Sequence, residues 1–206
     1  MAKPVADTNS SDNEAGFAFD GSLIYGFSSL HDSGTGGDPS LGNFALFPYS
    51  SCAGDEIDGC VYPKKERLVS FDNSTVKASP GYFAVGLDSG VDVDMTATQH
   101  TSLFRFTFPP GNSTGSPLIL MDLTDLGDTR QDNATVDVNG STGRMMGSGV
   151  FLPSFGSGTY TAYFCADFSS AAKIRDNGIF VNSRATADVK SLKISTGIND
   201  YPLPVS

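Results

Sequence analysis

Histidine is scarce in this chain, two in 206 residues, and one of them, His31, stands beside Asp32 and directly ahead of the loop Ser33-Gly34-Thr35-Gly36-Gly37. Several chemistries use such residues. Ser29 or Ser33 with His31 and Asp32 supplies the residue types of a nucleophilic triad, but close neighbours on one loop cannot adopt the relay geometry, which is assembled from distant parts of a chain. A phosphate cradle needs its glycines followed by Lys-Ser/Thr and a helix, and neither follows here. Hydroxyl-rich ligands fit better, because glycine lets the backbone approach closely and His31, Asp32, Ser33 and Thr35 offer several short donors and acceptors to a sugar. An architectural role, with the glycines shaping a tight turn that His31 caps, accounts for the same residues equally well.

Other polar clusters read more simply. Asp122, Asp125 and Asp128 in DLTDLGD have the oxygen chemistry of calcium ligands, but their spacing misses the EF-hand pattern and a solvated loop explains them. Asp92 and Asp94 could mimic paired catalytic carboxylates, yet an exposed strand face accounts for both. His100, close to Arg105 in TATQHTSLFRF, reads as a structural or interface residue. Neither a catalytic residue nor a metal site is assigned to the chain's own side chains.

The elements that must position these residues are strands. Alternation with a period of two dominates, and no helical stripe exceeds two turns. In VDVDMTAT, Val91, Val93 and Met95 face one way and Asp92 and Asp94 the other. LFRFTFPP puts Phe104, Phe106 and Phe108 on one face, and GTYTAYFCADF separates Tyr160, Ala162 and Phe164 from Tyr163 and Cys165. PLILMDLTDL is apolar at consecutive positions, as in a strand covered on both faces. Asn139-Gly140 between alternating segments signals a hairpin and a meander. So many strands between Gly, Pro and Asn turns predict an all-β chain, an antiparallel β-sandwich forming one domain over residues 1–206. Residues 1–22, 32–43 and 51–60 read as loops, and YPLPVS shows no clear closing strand.

Composition narrows the partners. A net charge of −10 and scattered basic residues, apart from Pro63-Lys64-Lys65-Glu66-Arg67, argue against nucleic acid. No apolar run is long enough to predict a membrane span. Sequons at Asn9, Asn73, Asn112, Asn133 and Asn139 suit a secreted, glycosylated surface. Cys52 and Cys60 bracket the short loop AGDEIDG, which a disulfide closes easily, whereas Cys165 in an apolar run predicts a buried thiol. MAKPVADTNSSDN lacks the apolar core of a signal peptide, so secretion would require an upstream start.

YGFSSLHDSGTGG followed by LGNFALFP resembles the signature of glycoside hydrolase family 92, the calcium-dependent exo-α-mannosidases, which carry Phe-Ser-His-x-His-x-Ser-Gly-Thr-Gly. Phe27, Ser28, His31, Ser33, Gly34, Thr35 and Gly36 fall on that pattern. Ser29 replaces its first histidine and Asp32 takes a position often apolar. The similarity continues through KASPGYFAV, VDMTATQHTSLFRFTFP, PLILMDLTDL, SFGSGTYTAYFCADF and RDNGIFVNSRA. CVYPKK, with Cys52 and Cys60, looks like the eukaryotic-type branch.

The resemblance implies an N-terminal, supersandwich-like β-domain beside a C-terminal (α/α)₆ barrel, with mannose bound where they meet. It also implies that this chain is cut short at both ends. The inverting reaction needs two carboxylates separated by a water; these, and most contacts to calcium, are implied to come from the barrel. His31, Asp32, Ser33, Gly34, Thr35 and Gly36, with Asp7 from the early aspartate segment, then become the candidate sugar contacts. The expected role is a secreted half-site for mannose-containing glycoprotein glycans, inactive alone. A free-standing carbohydrate-binding module, using Tyr25, Tyr49 and Tyr62 in place of tryptophan, is one alternative. A truncated product without a stable fold is another.

Overall fold

The computed structural model describes residues 2–10, 16–31, 41–110, 115–153, 156–169, 174–181, 184–194 and 204–205. Among them, helix is confined to two 3₁₀ turns, Ala53–Asp55 and Ile57–Gly59. A central sheet orders β1 (Val5–Thr8), β2 (Ile24–Ser28), β3 (Leu46–Tyr49), β8 (Leu118–Asp122) and β15 (Pro204–Val205). A second sheet is the meander β4 (Phe71–Ser79), β5 (Tyr82–Leu87), β6 (Asp92–Ala97) and β7 (Ser102–Thr107). A third orders β11 (Tyr160–Asp167), β10 (Arg144–Phe151), β9 (Arg130–Asn139) and β14 (Ser191–Ile194), and β12 (Gly178–Val181) pairs with β13 (Arg184–Ala187). Every pairing is antiparallel.

The central sheet is common to three packed clusters. Ala6, Ile24 and Phe27 pack with Val85, Leu87, Val91, Val93 and Met95 of the meander. Phe44, Leu46, Met121 and Leu123 meet Ala134, Val136, Val138 and Phe151 of the third sheet. Phe47 and Leu120 pack with Tyr62 in a third cluster, which Phe180 and Ala185 of the β12–β13 hairpin join. Strand periodicity explains the sorting: Val93 and Met95 are buried where Asp92 is exposed, and Leu120 and Met121, adjacent in β8, enter different clusters. Each fully buried Val, Leu, Ile, Phe or Met side chain contributes about 1.5–3 kcal/mol. Phe104 and Phe106 of β7 flank both larger clusters, and the Phe106 and Phe27 rings meet edge on, centroids 6.0 Å apart.

The hairpin at Asn139 is present, with Asn139 paired to Arg144. Its turn is four residues long, because Asn139 Oδ1 accepts from the Ser141 backbone N–H at 3.1 Å and Gly143 takes φ +71°. The Cys52–Cys60 disulfide forms, Cα atoms 4.7 Å apart. Asn9, Asn73, Asn133 and Asn139 are exposed, whereas Asn112 lies outside the described residues.

Three expectations are corrected. Val5–Thr8, inside the segment expected to be loop, is a strand buried at all four positions, and burial on both faces erases the alternation that marks a strand. Pro204–Val205 does pair with Asp122 and Met121 of β8. Cys165 is exposed, because it shares the outer face of β11 with Tyr163, itself 78% exposed.

Candidate functional site

The buried polar residues gather on the central sheet and the loops leaving it: Asp7, Thr8, Ser28, His31, Asn43, Arg67, Asp122, Thr124 and Asp125. β1 and β2 place Asp7 opposite Gly26, and Ser28 Oγ donates to Asp7 Oδ1 at 3.0 Å. The Asp7 carboxyl is fully enclosed, and its Oδ2 has no hydrogen-bond partner. Burial pushes its pKa well above the usual aspartate range, against the opposing pull of the Ser28 hydrogen bonds and the Lys64 and Arg67 charges.

His31 follows β2 and is 4% exposed. It bridges to Leu41, and Gly42 N–H donates to Leu30 O at 2.6 Å, so the two ends of the interval 32–40 meet on the sheet. Its imidazole lies against Gly16: a Cβ there would stand 3.0 Å from His31 Nε2 and 2.2 Å from Val5 Cγ1. With φ at +91°, position 16 favours glycine on two counts, close approach and backbone conformation. Thr8 N–H donates to Gly16 O at 3.1 Å, tying His31's neighbour back to the strand of Asp7.

The expected solvated loop at Asp122, Asp125 and Asp128 is instead largely interior. Asp122 accepts from Arg67 Nη2 at 2.6 Å and from Thr124 N–H at 2.9 Å. Burial raises the Asp122 pKa, but the Arg67 and Lys64 charges outweigh it and leave the group below its usual range. Arg67 also donates to Tyr25 O at 3.0 Å and Tyr62 O at 2.9 Å, so each of its three nitrogens is engaged. Asp125 accepts from Thr129 N–H at 2.7 Å and Oγ1 at 2.8 Å, and burial raises its pKa. Lys64 reaches Asp125 O and the Asp128 carboxylate. The Pro63–Arg67 cluster therefore turns two of its cations inward onto acids, a pairing that sequence reasoning missed because Arg67 and Asp122 are far apart along the chain.

Asp32, Ser33, Gly34, Thr35 and Gly36 lie outside the described residues. Asp7 bonds Ser28 at the end of β2, and His31, three residues beyond Ser28, lies against Gly16, whose carbonyl accepts from Thr8 N–H; no direct hydrogen bond joins the two. Asp92, Asp94 and His100 do not join them: Asp94 pairs with Arg105 at 3.0 Å on the meander's outer face, and His100 is exposed in a turn. Tyr62 is 1% exposed, Tyr49 donates to Val61 O at 2.7 Å, and Tyr25 lies beneath Lys64, so these rings form no open platform. Among the described residues, no group of three or more His, Cys, Asp or Glu side chains converges as metal ligands. No helix among them is long and apolar enough to cross a membrane.

Residues 1–198 match the glycosyl hydrolase family 92 N-terminal domain. An uncharacterized secreted glycosidase of Arthroderma benhamiae is 46% identical over 202 residues, 97% of this chain and 26% of that protein. The family 92 glycosyl hydrolase ccman5 superposes with a TM-score of 0.74 at 20% identity, over 100% of this chain and 26% of its own. A family 92 α-mannosidase from Bacteroides thetaiotaomicron gives 0.73 at 20% identity over 100% and 27%, and has also been solved with mannoimidazole. The chain thus spans about a quarter of the length of these relatives. With the match running almost end to end, the chain belongs to the glycosyl hydrolase family 92 N-terminal domain family.

Proposed function

We propose that this chain is the β-sandwich half of a secreted α-mannosidase-like glycosidase acting on mannose-containing glycoprotein glycans, and that it is not catalytic alone. The observation that carries the reading is the family match over residues 1–198 in a chain a quarter the length of its relatives. The state of its acids supports it. Asp122, Asp125, Asp128 and Asp94 are each committed to a cation or hydroxyl partner, and Asp7 is enclosed. An inverting hydrolase needs two carboxylates about 6.5–9.5 Å apart with room for a water. In this reading they come from a C-terminal (α/α)₆ domain, and the segment from His31 to Gly36 shapes the rim of the mannose pocket.

Among the described residues, Asp122 is bound to Arg67 and Asp125 to Thr129, which leaves Asp7, enclosed beside Ser28, as the one buried acid not held by either, and no three acids converge there. In this reading any calcium of the complete enzyme is held mainly by the C-terminal domain. The test is hydrolysis of α-1,2-linked mannobiose with calcium present, by this chain alone and mixed with the helical half of a relative. Activity only on mixing supports the reading; activity of the chain alone overturns it.

A further inference from the structure

A cavity of about 570 Å³ lies between the disulfide loop, the start of β8, the β9–β10 turn, Phe168 and Ser169, and the segment from Ile174 to Gly178. It shares no residue with the site around Asp7 and His31. Its lining is largely apolar, including Ile57, Phe108, Ile119, Met145, Phe168 and Ile174. One part of its rim is clasped by Arg175, which donates to Asp55 O and Ser116 Oγ, each at 2.9 Å. Another part is the hairpin turn itself, with Asn139, Gly140 and Gly143. Ile174, 37% exposed, packs its Cδ1 3.0 Å from where a Cβ on Gly143 would stand.

Asn139 is the acceptor position of the sequon Asn139-Gly140-Ser141. Its Oδ1 faces the turn, accepting from Ser141 Oγ at 2.7 Å and from the N–H groups of Ser141 and Thr142 at 3.1 and 3.3 Å. Those bonds use only the carbonyl oxygen and leave the amide nitrogen, the atom that carries an N-glycan. Asparagine-linked sugar can therefore form without breaking the turn. We infer that Asn139 carries an N-linked glycan whose innermost N-acetylglucosamine residues cover this apolar cavity, packing against Ile174 and its neighbours.

The chemistry matches. N-acetylglucosamine presents ring C–H groups and an acetyl methyl as an apolar face, with its hydroxyls at the edge. A covalent tether at the rim gives it a high effective concentration, on the order of millimolar for a short linker, so weak packing suffices. An open apolar hollow on a secreted protein is otherwise an association hazard, which a bulky polar cover removes. The inference rests on the secretory reading above.

The test is to express the chain in a secreting eukaryotic host, map glycopeptides, and compare isoleucine methyl NMR spectra of the glycosylated protein with those of unglycosylated protein of the same sequence. Ser141→Ala from the same host serves if the unglycosylated chain does not fold, with Ser141→Thr as the sequon-retaining control. The expected result is an occupied Asn139, with the Ile174 and Ile57 methyl signals displaced by more than a linewidth and Ile24 unmoved. Trimming to one N-acetylglucosamine should retain the Ile174 displacement. An unmodified Asn139 beside modified Asn9 or Asn73 overturns the site while leaving secretion intact. An occupied Asn139 with Ile174 unmoved overturns the covering, and no modified sequon overturns both the site and the secretory reading.

Discussion

Arg67 Nη2 stands 2.6 Å from Asp122 Oδ2, with 0% and 2% of the two side chains exposed, so the ion pair is held out of water on the central sheet. Removing one partner leaves a buried charge uncompensated, which costs about 3–5 kcal/mol. Arg67→Met and Asp122→Asn should each lower the urea midpoint accordingly. The double substitution Arg67→Met with Asp122→Leu should recover part of the loss, the remainder coming from Tyr25 O, Tyr62 O and Thr124 N–H left without these partners. If the double variant is no better than Arg67→Met, the pair is not the source of the cost.

Asp7 and Asp122 titrate in opposite senses. The Asp7 pKa is raised, so its contribution is fully present below the ordinary aspartate value of 3.8 and is lost as pH rises through the folded value. Asp7→Asn should match the parent in acid and gain stability over it toward neutral pH. The Asp122 pKa is lowered, so its contribution holds above 3.8 and disappears as pH falls through the folded value. Thermal melts across pH 3–8 check both signs.

The Cys52–Cys60 bridge closes a short loop, with a sequence separation of 8. Chain-entropy reasoning predicts that the double Cys→Ser variant loses about 2–3 kcal/mol. Tyr62 lies just beyond the bridge and is 1% exposed, so its near-ultraviolet signal should weaken with it. An unchanged midpoint under reducing conditions would sink this expectation.

Cys165, on the outer face of β11, should react with iodoacetamide in the native protein, before any unfolding. Peptide mapping should find it alkylated while Cys52 and Cys60 remain joined. Labelling that requires denaturant would place the thiol in the interior.

In a full-length relative, alanine at the positions of His31 or Thr35 should lower kcat/KM for α-linked mannose by about 10- to 100-fold, as misplacement at a sugar rim does. Unchanged kinetics would remove the loop from the site.

Much of the fold is legible because alternation is. Val91, Val93 and Met95 set against Asp92 and Asp94, and the Phe104–Phe106 face, could be assigned to strands from spacing alone. Val5–Thr8 could not, since burial at every position leaves no period to detect. Cys165 misleads in the other direction: apolar neighbours on the inward face of a strand say nothing about the residue on the outward face. The site divides similarly. Glycines and His31 announce themselves locally, whereas Arg67 with Asp122 needs β8 brought beneath the Pro63–Arg67 segment, a long-range event with no short-range signature. Gly16, which leaves room for His31, likewise looks like an ordinary loop glycine until the two are seen together.

The central sheet also dictates an order of assembly. The meander β4–β7 and the β9–β11 hairpins join strands that follow one another, so each can form from local encounters. Leu46 of β3 must instead find Met121 of β8 across the whole meander, and Ala134 of β9 must wait for Ile194 of β14. Closing such large loops is entropically slow. On an emerging chain, β1, β2 and β3 have no partner on their β8 side until the meander has been synthesised. The β3–β8 seam of the wall shared by the clusters is thus closed only after the meander, and its unfinished edge is the stage at which a chaperone has most to protect.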